Sequence, residues 1–449
     1  MNSIENQGEG SPQGDVSSLV EHLFRHESGK MVATLTRIFG LEHLSLAEDV
    51  VQEALVRALR TWPFYGVPRN PSAWLMRASR NLALDVVRRE KVFRDKQAEI
   101  VHLMEGPSKG SDTPVFAENE IVDDRLGMMF ACCHPVIPAE AQLALALNTL
   151  CGFSVAEISR AFLTSEAAIA KRLTRAKQRI RETRVPLEIP AGEELARRLD
   201  VVLEALYLLF NEGYKASSGE KLVREDVCQE AIRLADLLAG HPIGNQPRTH
   251  ALLALMLLNA ARIPARVDGE GNLLRLQEQD RQLWDQPTIA RGMFHLTRSA
   301  AGEEPSRYHL QAGIAACHCA AQDYDSTDWR QILALYDLLL GYDDSPIIAL
   351  NRAVAVANMQ GPKAGIEAVE AIRNRAQLDS YYLLYAVLGD FEARLENFAA
   401  AAGYFRQARE LTELKSEQLF LWNRIHWCEA DKRPVASSRR LHASSLPTA

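Results

Sequence analysis

The chain has 449 residues, of which 47% are hydrophobic and 24% charged, and its formal net charge is −7. This composition is normal for a soluble globular protein and leaves room for two to four domains, each with its own core. No run of eighteen apolar residues occurs, so we expect no membrane span. The odd number of cysteines, seven, and the absence of a signal-peptide pattern predict reduced thiols in the cytoplasm.

The excess of acidic over basic side chains lies entirely in the second part of the chain. Residues 1–185 carry 23 basic and 23 acidic side chains, whereas residues 186–449 carry 28 and 35. Basic side chains are concentrated in segments 74–96 and 160–184. A chain with a negative total charge can therefore still bind nucleic acid through its first part.

Helical periodicity dominates the N-terminal region, and strand patterns are nearly absent. Residues 1–15 are rich in Gly, Ser, Asn and Gln and are predicted to be disordered. One helix or a helix pair is expected over residues 16–39. A second helix is predicted over residues 45–62, with Ser45 as its cap. Its apolar positions recur at helical spacing: Val50, Val51, Ala54, Leu55, Ala58 and Leu59.

Polar residues gather early in this second helix, at Glu48, Asp49, Gln52 and Glu53. Acidic groups in a first turn are favourable for the helix dipole, which is the simple explanation. The alternative is a docking surface for a basic partner.

Residues 61–71 contain three prolines, one glycine and three aromatic residues, which predicts a structured loop rather than a helix. Ser72 is then expected to cap a helix with Trp74 on its apolar face. The other face carries Arg77, Arg80, Asn81, Asp85, Arg88 and Arg89. An aromatic loop followed by cations suits single-stranded nucleic acid, because bases stack on rings while cations neutralise phosphates. Trp74 alone is also compatible with a core position.

Residues 91–122 lose periodicity and are predicted to be a linker. Helices resume over residues 123–185. Within them, residues 151–181 predict two helices joined by a tight turn, with Thr164 or Ser165 capping the second. That second helix has an apolar face of Ala168, Ile169, Leu173 and Ala176, and cations at Lys171, Arg172, Arg175, Lys177 and Arg179. This is a helix-turn-helix pattern suited to a DNA major groove. The alternative is a solvated basic face on an ordinary helical hairpin.

The order of these elements resembles one known family. The segments AEDVVQEALVRAL, AWLMRASRNLALDVVRR and KRLTRAKQRIR, in this order, are similar to those of extracytoplasmic-function (ECF) sigma factors of bacterial RNA polymerase. The resemblance covers residues 16 to 185. It implies a region 2 domain over residues 16–90 and a region 4 helix-turn-helix domain over residues 123–185.

The resemblance also implies roles for single residues. Asp49, Gln52, Glu53 and Arg57 would contact core polymerase. The −10 promoter element would be met by Trp62, Phe64, Tyr65, Trp74, Arg77, Arg80, Asn81, Asp85, Arg88 and Arg89. The −35 element would be met by Ser165, Ala168, Lys171, Arg172, Arg175 and Lys177. Ala167, Ala168 and Ala170 depart from the expected polar side chains, so that readout there depends more on backbone fit and DNA shape.

Residues 190–430 are predicted to form twelve further helices, including one over 271–284, and residues 431–449 a disordered tail. An internal repeat of about 36 residues indicates a tetratricopeptide-like solenoid. In its second copy the packing residues are Gly389, Phe398, Ala401, Phe405 and Ala408. In the weaker first copy they are Ala364, Ala368 and Ala371. Such a solenoid can bind a protein or peptide partner. The extension resembles that of ECF sigma factors with a fused tetratricopeptide-like domain.

Two kinds of site in the chain have competing explanations. Cys132-Cys133-His134 and Cys317-His318-Cys319 could bind a metal, but their spacing suits a zinc site poorly and favours buried free thiols. The polar cluster over residues 278–284 could be a ligand site or a capped, ion-paired helix end. No phosphate loop or catalytic constellation is recognisable, so we expect no enzyme activity, no cofactor and no bound metal.

The sequence thus predicts an all-α cytoplasmic sigma factor. It would bind core RNA polymerase and promoter DNA, and its C-terminal helical domain would regulate or stabilise it. The alternative is a helix-turn-helix regulator that uses the solenoid as a sensor and never engages polymerase. A helical hydrolase is a third and weaker alternative.

Overall fold

The fold was established from a computed structural model, which describes residues 12–89, 123–162, 164–183, 192–216, 223–269, 272–301 and 305–430. These residues form eighteen α-helices and no β-strand, apart from one isolated bridge between Val267 and Leu273. The predicted all-α fold is confirmed. The predicted linker 91–122 and tail 431–449 lie outside the described residues, as do residues 1–11.

The first helices form an antiparallel bundle: α1 Pro12–Phe39, α2 Leu44–Tyr65 and α3 Pro71–Arg89. Helix α1 thus begins inside the segment predicted to be disordered. The apolar stripe of α2 is buried at every predicted position except Leu59, which is 42% exposed on the outer face. Ala58 and Trp62 continue the buried stripe instead, because residues four apart lie on one side of a helix.

The predicted loop over residues 61–71 is wrong for its first half. Helix α2 continues through Pro63 and ends at Tyr65, before Gly66 at φ 83°. Pro63 lies in the last turn and cannot donate to the Leu59 carbonyl, so one helical hydrogen bond is missing there, but the buried Trp62 anchors that turn. The next helix is capped by Asn70 rather than Ser72, because the Asn70 side chain accepts from the Ala73 amide at 3.0 Å.

Four helices follow: α4 Asp124–Cys132, α5 Ala139–Leu150, α6 Val155–Ala161 and α7 Glu166–Thr183. Helix α6 begins with a capping box, in which the Ser154 hydroxyl accepts from the Glu157 amide and the Glu157 carboxylate accepts from the Ser154 amide. Helix α7 buries Ile169, Leu173, Ala176 and Ile180, which recur at helical spacing. The predicted helix-turn-helix is therefore present.

The helices of the two bundles touch at the end of α5. A Cβ atom on Gly29 of α1 would lie 2.1 Å from the carbonyl oxygen of Leu150, so only glycine permits this approach. Two ion pairs bridge the same bundles, between Arg37 and Asp124 at 3.1 Å and between Lys177 and Glu48 at 2.7 Å. Residues 12–89 and 123–183 therefore pack as one body.

The first compact unit extends past the boundary predicted at residue 190. It includes helix α8, Glu193–Tyr214, almost to its end, and helix α9, Glu225–Gly240. Arg125, only 4% exposed at its side chain, donates to the Leu150 carbonyl at 2.9 Å and to Glu230 of α9 at 2.8 Å. Arg198 of α8 donates to the Phe130 carbonyl at 2.9 Å. Two buried guanidinium groups thus join the extension to the ends of α4 and α5.

The second compact unit consists of residues 214–224 and 250–449 by its bounds. Its described helices are α10 Pro247–Ala260, α11 Gln286–Ser299, α12 Arg307–Ala320, α13 Trp329–Tyr342, α14 Pro346–Gln360, α15 Pro362–Glu370, α16 Tyr382–Arg394, α17 Phe398–Glu410 and α18 Lys415–Glu429. Consecutive helices pair as hairpins from α12 onwards. Two glycines allow the last helices to pack closely. A Cβ on Gly389 of α16 would lie 2.7 Å from the Phe405 ring of α17, and one on Gly365 of α15 would lie 2.8 Å from Phe391 of α16.

The helix predicted over residues 271–284 is wrong. This segment contains two short 3₁₀ turns, Leu276–Glu278 and Arg281–Leu283, and is otherwise extended. Its side chains bond outward to other elements, for example Arg275 to Asp390 of α16 at 2.9 Å. These tertiary contacts replace the backbone hydrogen bonds of a regular helix. We call residues 275–284 the strap.

Replacing Glu230 by Gln is expected to destabilise the first unit. Burial opposes ionisation of Glu230, but hydrogen bonds from Arg233 and the charges of Arg125, Arg233 and Lys30 lower its pKa to about 2. The variant leaves the buried Arg125 without a counter-charge, so the free energy of unfolding should fall by about 3 kcal/mol at pH 7. Denaturant unfolding of the full chain, followed by circular dichroism, measures this.

The pH dependence checks the cause. Because the pKa is lower in the folded state, the stabilisation is complete above about pH 4.5 and is lost as the pH falls towards 2. The gap between wild type and Glu230→Gln should therefore close over that range. The matched control is Glu193→Gln, which removes an exposed ion pair with Arg197 and should change stability by less than about 0.5 kcal/mol. Equal losses in the two variants would contradict the buried-charge explanation.

Candidate nucleic-acid interface

The outer face of α2 presents polar and apolar side chains together. The four predicted polymerase contacts, Asp49, Gln52, Glu53 and Arg57, are all exposed there. Glu53 and Arg57 form an ion pair at 3.2 Å, one helical turn apart. Val56 and Leu59 are 37% and 42% exposed on the same helix. These two apolar residues were not identified from the sequence as part of a docking surface, although their spacing from Asp49 and Gln52 allowed it.

The aromatic residues at the end of α2 are one buried ring and two exposed rings. Trp62 is only 3% exposed and packs edge-on against Trp74, with ring centroids 5.5 Å apart. Phe64 and Tyr65 are 79% and 88% exposed. Two exposed aromatic rings side by side are costly in water and offer two stacking faces. Of the predicted aromatic contacts, Phe64 and Tyr65 are therefore accessible, whereas Trp62 belongs to the core.

Helix α3 carries an exposed polar stripe beside these rings. Arg77, Asn81 and Asp85 are exposed and lie four residues apart, hence on one face. Arg80 is half-buried. The side chains of Arg88 and Arg89, at the end of α3, lie outside the described residues. The described part of the stripe thus combines one cation, one amide and one carboxylate.

Helix α7 exposes Lys171, Arg175 and Arg179 at the spacing of one turn, and the first two are predicted contacts of the −35 element. At the start of the helix, the Ser165 hydroxyl accepts from the Ala168 amide at 3.3 Å, so Ser165 is the cap. The Ala168 side chain is half-buried. Among the described residues neither Lys171 nor Arg175 has an acidic partner. These two side chains are therefore directly available to phosphates or base edges.

The other two cations of α7 that are predicted to contact the −35 element, Arg172 and Lys177, are neutralised within the protein. Arg172 pairs with Glu140 of α5 at 3.2 Å, and Lys177 pairs with Glu48 of α2 at 2.7 Å. Glu48 also accepts from the Thr149 hydroxyl at 2.9 Å. Glu48 is thus engaged with the helix-turn-helix bundle, whereas its neighbour Asp49 faces outward.

The cysteines beside α5 are buried thiols. Burial raises the pKa of Cys132 well above its ordinary value and that of Cys133 to about 12. Burial likewise raises the pKa of Cys151 to about 11. In the part of the chain that the structure describes, no three His, Cys, Asp or Glu side chains are grouped as metal ligands. No described helix is both long and apolar enough to cross a membrane.

Stability measurements distinguish the buried from the exposed aromatic residues. Trp62→Ala should lower the free energy of unfolding by about 3 kcal/mol, because it removes a large buried ring packed on Trp74. Phe64→Ala/Tyr65→Ala should change it by less than about 0.5 kcal/mol, because both rings already face water. Denaturant unfolding of the full chain compares them. Equal stability of wild type and Trp62→Ala would show that Trp62 is not a core residue.

Three family models match segments of this sequence. Sigma-70 region 2 matches residues 23–92, sigma-70 region 4 matches residues 128–180, and a family of unknown function (DUF6596) matches residues 198–300. The first two coincide with the bundles of α1–α3 and α4–α7. The third begins within α8 and ends after α11, so it spans the end of the first unit and the start of the second.

Two relatives extend the comparison. An uncharacterized protein of Rhizobium meliloti is 36% identical over 421 residues, covering 91% of this chain and 96% of the relative. The ECF RNA polymerase sigma factor SigE of Mycolicibacterium smegmatis is 27% identical over 162 residues, covering 36% of this chain and 60% of the relative. No solved structure matches the chain. The chain belongs to the ECF sigma factors of the sigma-70 family and carries a long helical C-terminal extension.

Proposed function

We propose that this protein binds core RNA polymerase through the outer face of α2 and directs promoter-specific initiation. The observation that carries the proposal is the exposed pair Phe64 and Tyr65, which lies between that face and the polar stripe of α3 in a chain with both sigma-70 regions. Nothing in the fold requires two large rings to face water. A partner that covers them accounts for their presence.

The polymerase-binding surface combines charge with apolar area. Asp49 and Glu53 supply negative charge, and the exposed Val56 and Leu59 supply area that gains free energy when it is covered. Charge steers a basic partner and sets its orientation, while the apolar side chains contribute affinity. The same helix buries its opposite side in the bundle, so the surface is held rigidly.

Contact with the −10 element requires bases to leave the duplex stack, which costs a few kcal/mol. Stacking on aromatic rings offsets this by about 1 to 3 kcal/mol per base. Phe64 and Tyr65 supply the rings, and Arg77 and Asn81 of α3 supply a phosphate contact and a hydrogen-bonding amide. Trp62 and Trp74 act indirectly, because their edge-on packing fixes the end of α2.

Contact with the −35 element is assigned to α7. Lys171 and Arg175 face outward and can meet DNA without rearrangement. Arg172 and Lys177 can do so only by exchanging Glu140 and Glu48 for phosphates. Lys177 is the more constrained, because its ion pair is partly buried between the two bundles. Of the four cations assigned to this contact, Lys171 and Arg175 therefore supply the main electrostatic contribution.

The C-terminal extension stabilises the DNA-reading unit through its first two helices. Helix α9 supplies Glu230 and Arg233 to the network of Asp123, Arg125 and Leu150, and α8 supplies Arg198. Removing α8 and α9 would leave Arg125 buried without its carboxylate. The extension is therefore needed for the fold of the first unit before any regulatory role. Such a protein acts where polymerase and DNA are, in the bacterial cytoplasm.

Charge reversal on α2 tests polymerase binding. Asp49→Lys/Glu53→Lys should weaken binding to core RNA polymerase at least tenfold, because two favourable charge contacts become repulsive. A pull-down with purified core enzyme measures this. The matched control is Glu367→Lys/Glu370→Lys, which reverses two exposed charges on α15 and should bind core like the wild type.

Two outcomes would contradict the proposal. If the wild type itself fails to bind core enzyme, the chain acts as a helix-turn-helix regulator without polymerase. If both double variants bind core like the wild type, the docking surface is not the outer face of α2.

Salt dependence tests the assignment of α7. Lys171→Ala/Arg175→Ala should weaken promoter binding and reduce the slope of log K against log salt by about 2, roughly one for each lost phosphate contact. Footprinting or anisotropy with the polymerase complex over a range of salt concentrations measures this. Arg197→Ala, an exposed cation on α8, is the control and should leave the slope unchanged. An unchanged slope in the double variant would place DNA elsewhere.

A further inference from the structure

Two guanidinium groups of the second unit flank one buried indole. Arg262 follows α10, and Arg281 lies on the strap. The carbon centres of their guanidinium groups lie 5.2 Å and 4.8 Å from the ring centroid of Trp284, whose side chain is buried. Like charges held around one ring repel each other, and the surrounding protein weakens that repulsion less than water does.

Neither guanidinium has a carboxylate partner among the described residues. Arg281 donates only to neutral acceptors: the carbonyl oxygens of His318 at 2.6 Å and Ala321 at 2.7 Å, and the hydroxyl of Thr327 at 3.1 Å. Arg262 makes no ion pair within the described part of the chain. Arg275 and Arg424 of the same unit, by contrast, both pair with Asp390.

The nearby carboxylates are used elsewhere. Asp280 accepts from the Gln282 amide at 2.9 Å, and Asp285 caps α11 by accepting from the Thr288 amide and hydroxyl. Asp323 accepts from the Ser326 amide at 2.8 Å. All three are committed to caps and turns. The charge of Asp323 still acts on Arg281 from a distance, but none of these carboxylates forms an ion pair with Arg262 or Arg281 among the described residues.

The same cluster contains three buried polar atoms without a hydrogen-bond partner among the described residues. They are Nε of Arg262, Nε1 of Trp284 and Nδ1 of His318. Burial, together with the charges of Arg262 and Arg281, lowers the pKa of His318 to about 3, so the imidazole is neutral. Buried polar atoms normally have partners, and two unsatisfied N–H donors, those of Arg262 and Trp284, beside cations without an ion pair point to a missing acceptor.

We propose that Arg262 and Arg281 bind an oxyanion, a phosphate or carboxylate group, beside Trp284. Guanidinium groups match both groups through paired, charge-assisted hydrogen bonds. The half-exposed Arg262 gives the anion access from solvent, whereas Arg281 is fixed by its three neutral acceptors. Bound there, the anion joins the end of α10, the strap and the turn after α12. The polar cluster over residues 278–284 is thus a ligand site as well as a set of caps.

Thermal unfolding of the full chain with added anions tests the site. In chloride buffer the wild type should gain about 3 °C in melting temperature at inorganic phosphate concentrations ten times its dissociation constant. Malonate serves as the carboxylate probe. The anion that reaches half of its effect on the melting temperature at the lower concentration identifies the preferred group. No rise with either probe would overturn the proposal.

Substitution of Arg262 localises the effect. Arg262→Gln should raise the midpoint, the anion concentration at half-maximal response, at least tenfold. In chloride it should be at least as stable as the wild type, because it relieves the repulsion between Arg262 and Arg281. Arg262→Lys keeps the charge but loses the paired donors, and should raise the midpoint several-fold. The control Arg330→Gln, an exposed cation on α13, should respond like the wild type. A wild-type midpoint in both Arg262 variants would overturn the assignment.

Discussion

The fold of the first unit depends on keeping one buried cation satisfied. Arg125 is enclosed where α4, α5 and α9 meet, and it neutralises the end of α5 at the Leu150 carbonyl while pairing with Glu230. The same carbonyl faces Gly29 of α1. A buried guanidinium without its carboxylate costs several kcal/mol, so these helices are coupled. The region 2 bundle, the region 4 bundle and the first helices of the extension therefore form one energetic unit.

Much of this fold could be predicted because local signals agree with it. Of the twelve helices predicted over residues 190–430, all but the one over 271–284 are present. Two segments failed for tertiary reasons. Pro63 indicated a loop, but the burial of Trp62 holds the last turn of α2. Residues 271–284 have a helix-like pattern, but Arg275, Arg281 and Trp284 gain more from contacts with other helices than from a helical ladder.

For the candidate interface, the sequence predicted the exposure of several side chains better than their pairing within the protein. Helical spacing identifies the exposed Asp49, Lys171 and Arg175, since exposure follows from the position of the apolar stripe. It cannot reveal that Lys177 pairs with Glu48, 129 residues away, or that Trp62 packs on Trp74. Such pairings depend on how bundles meet. Composition likewise gives the number of cations but not which of them are already neutralised.

The Glu48–Lys177 pair joins the region 2 bundle to the region 4 bundle. Its side chains are 15% and 23% exposed, so the pair is weakened less by water than a surface pair. A phosphate that takes Lys177 must release Glu48, and a basic polymerase surface that takes Glu48 must release Lys177. If both exchanges occur in one complex, the cost of breaking the pair is incurred only once. Under the proposed function, polymerase and DNA would then each raise the affinity for the other by the same factor.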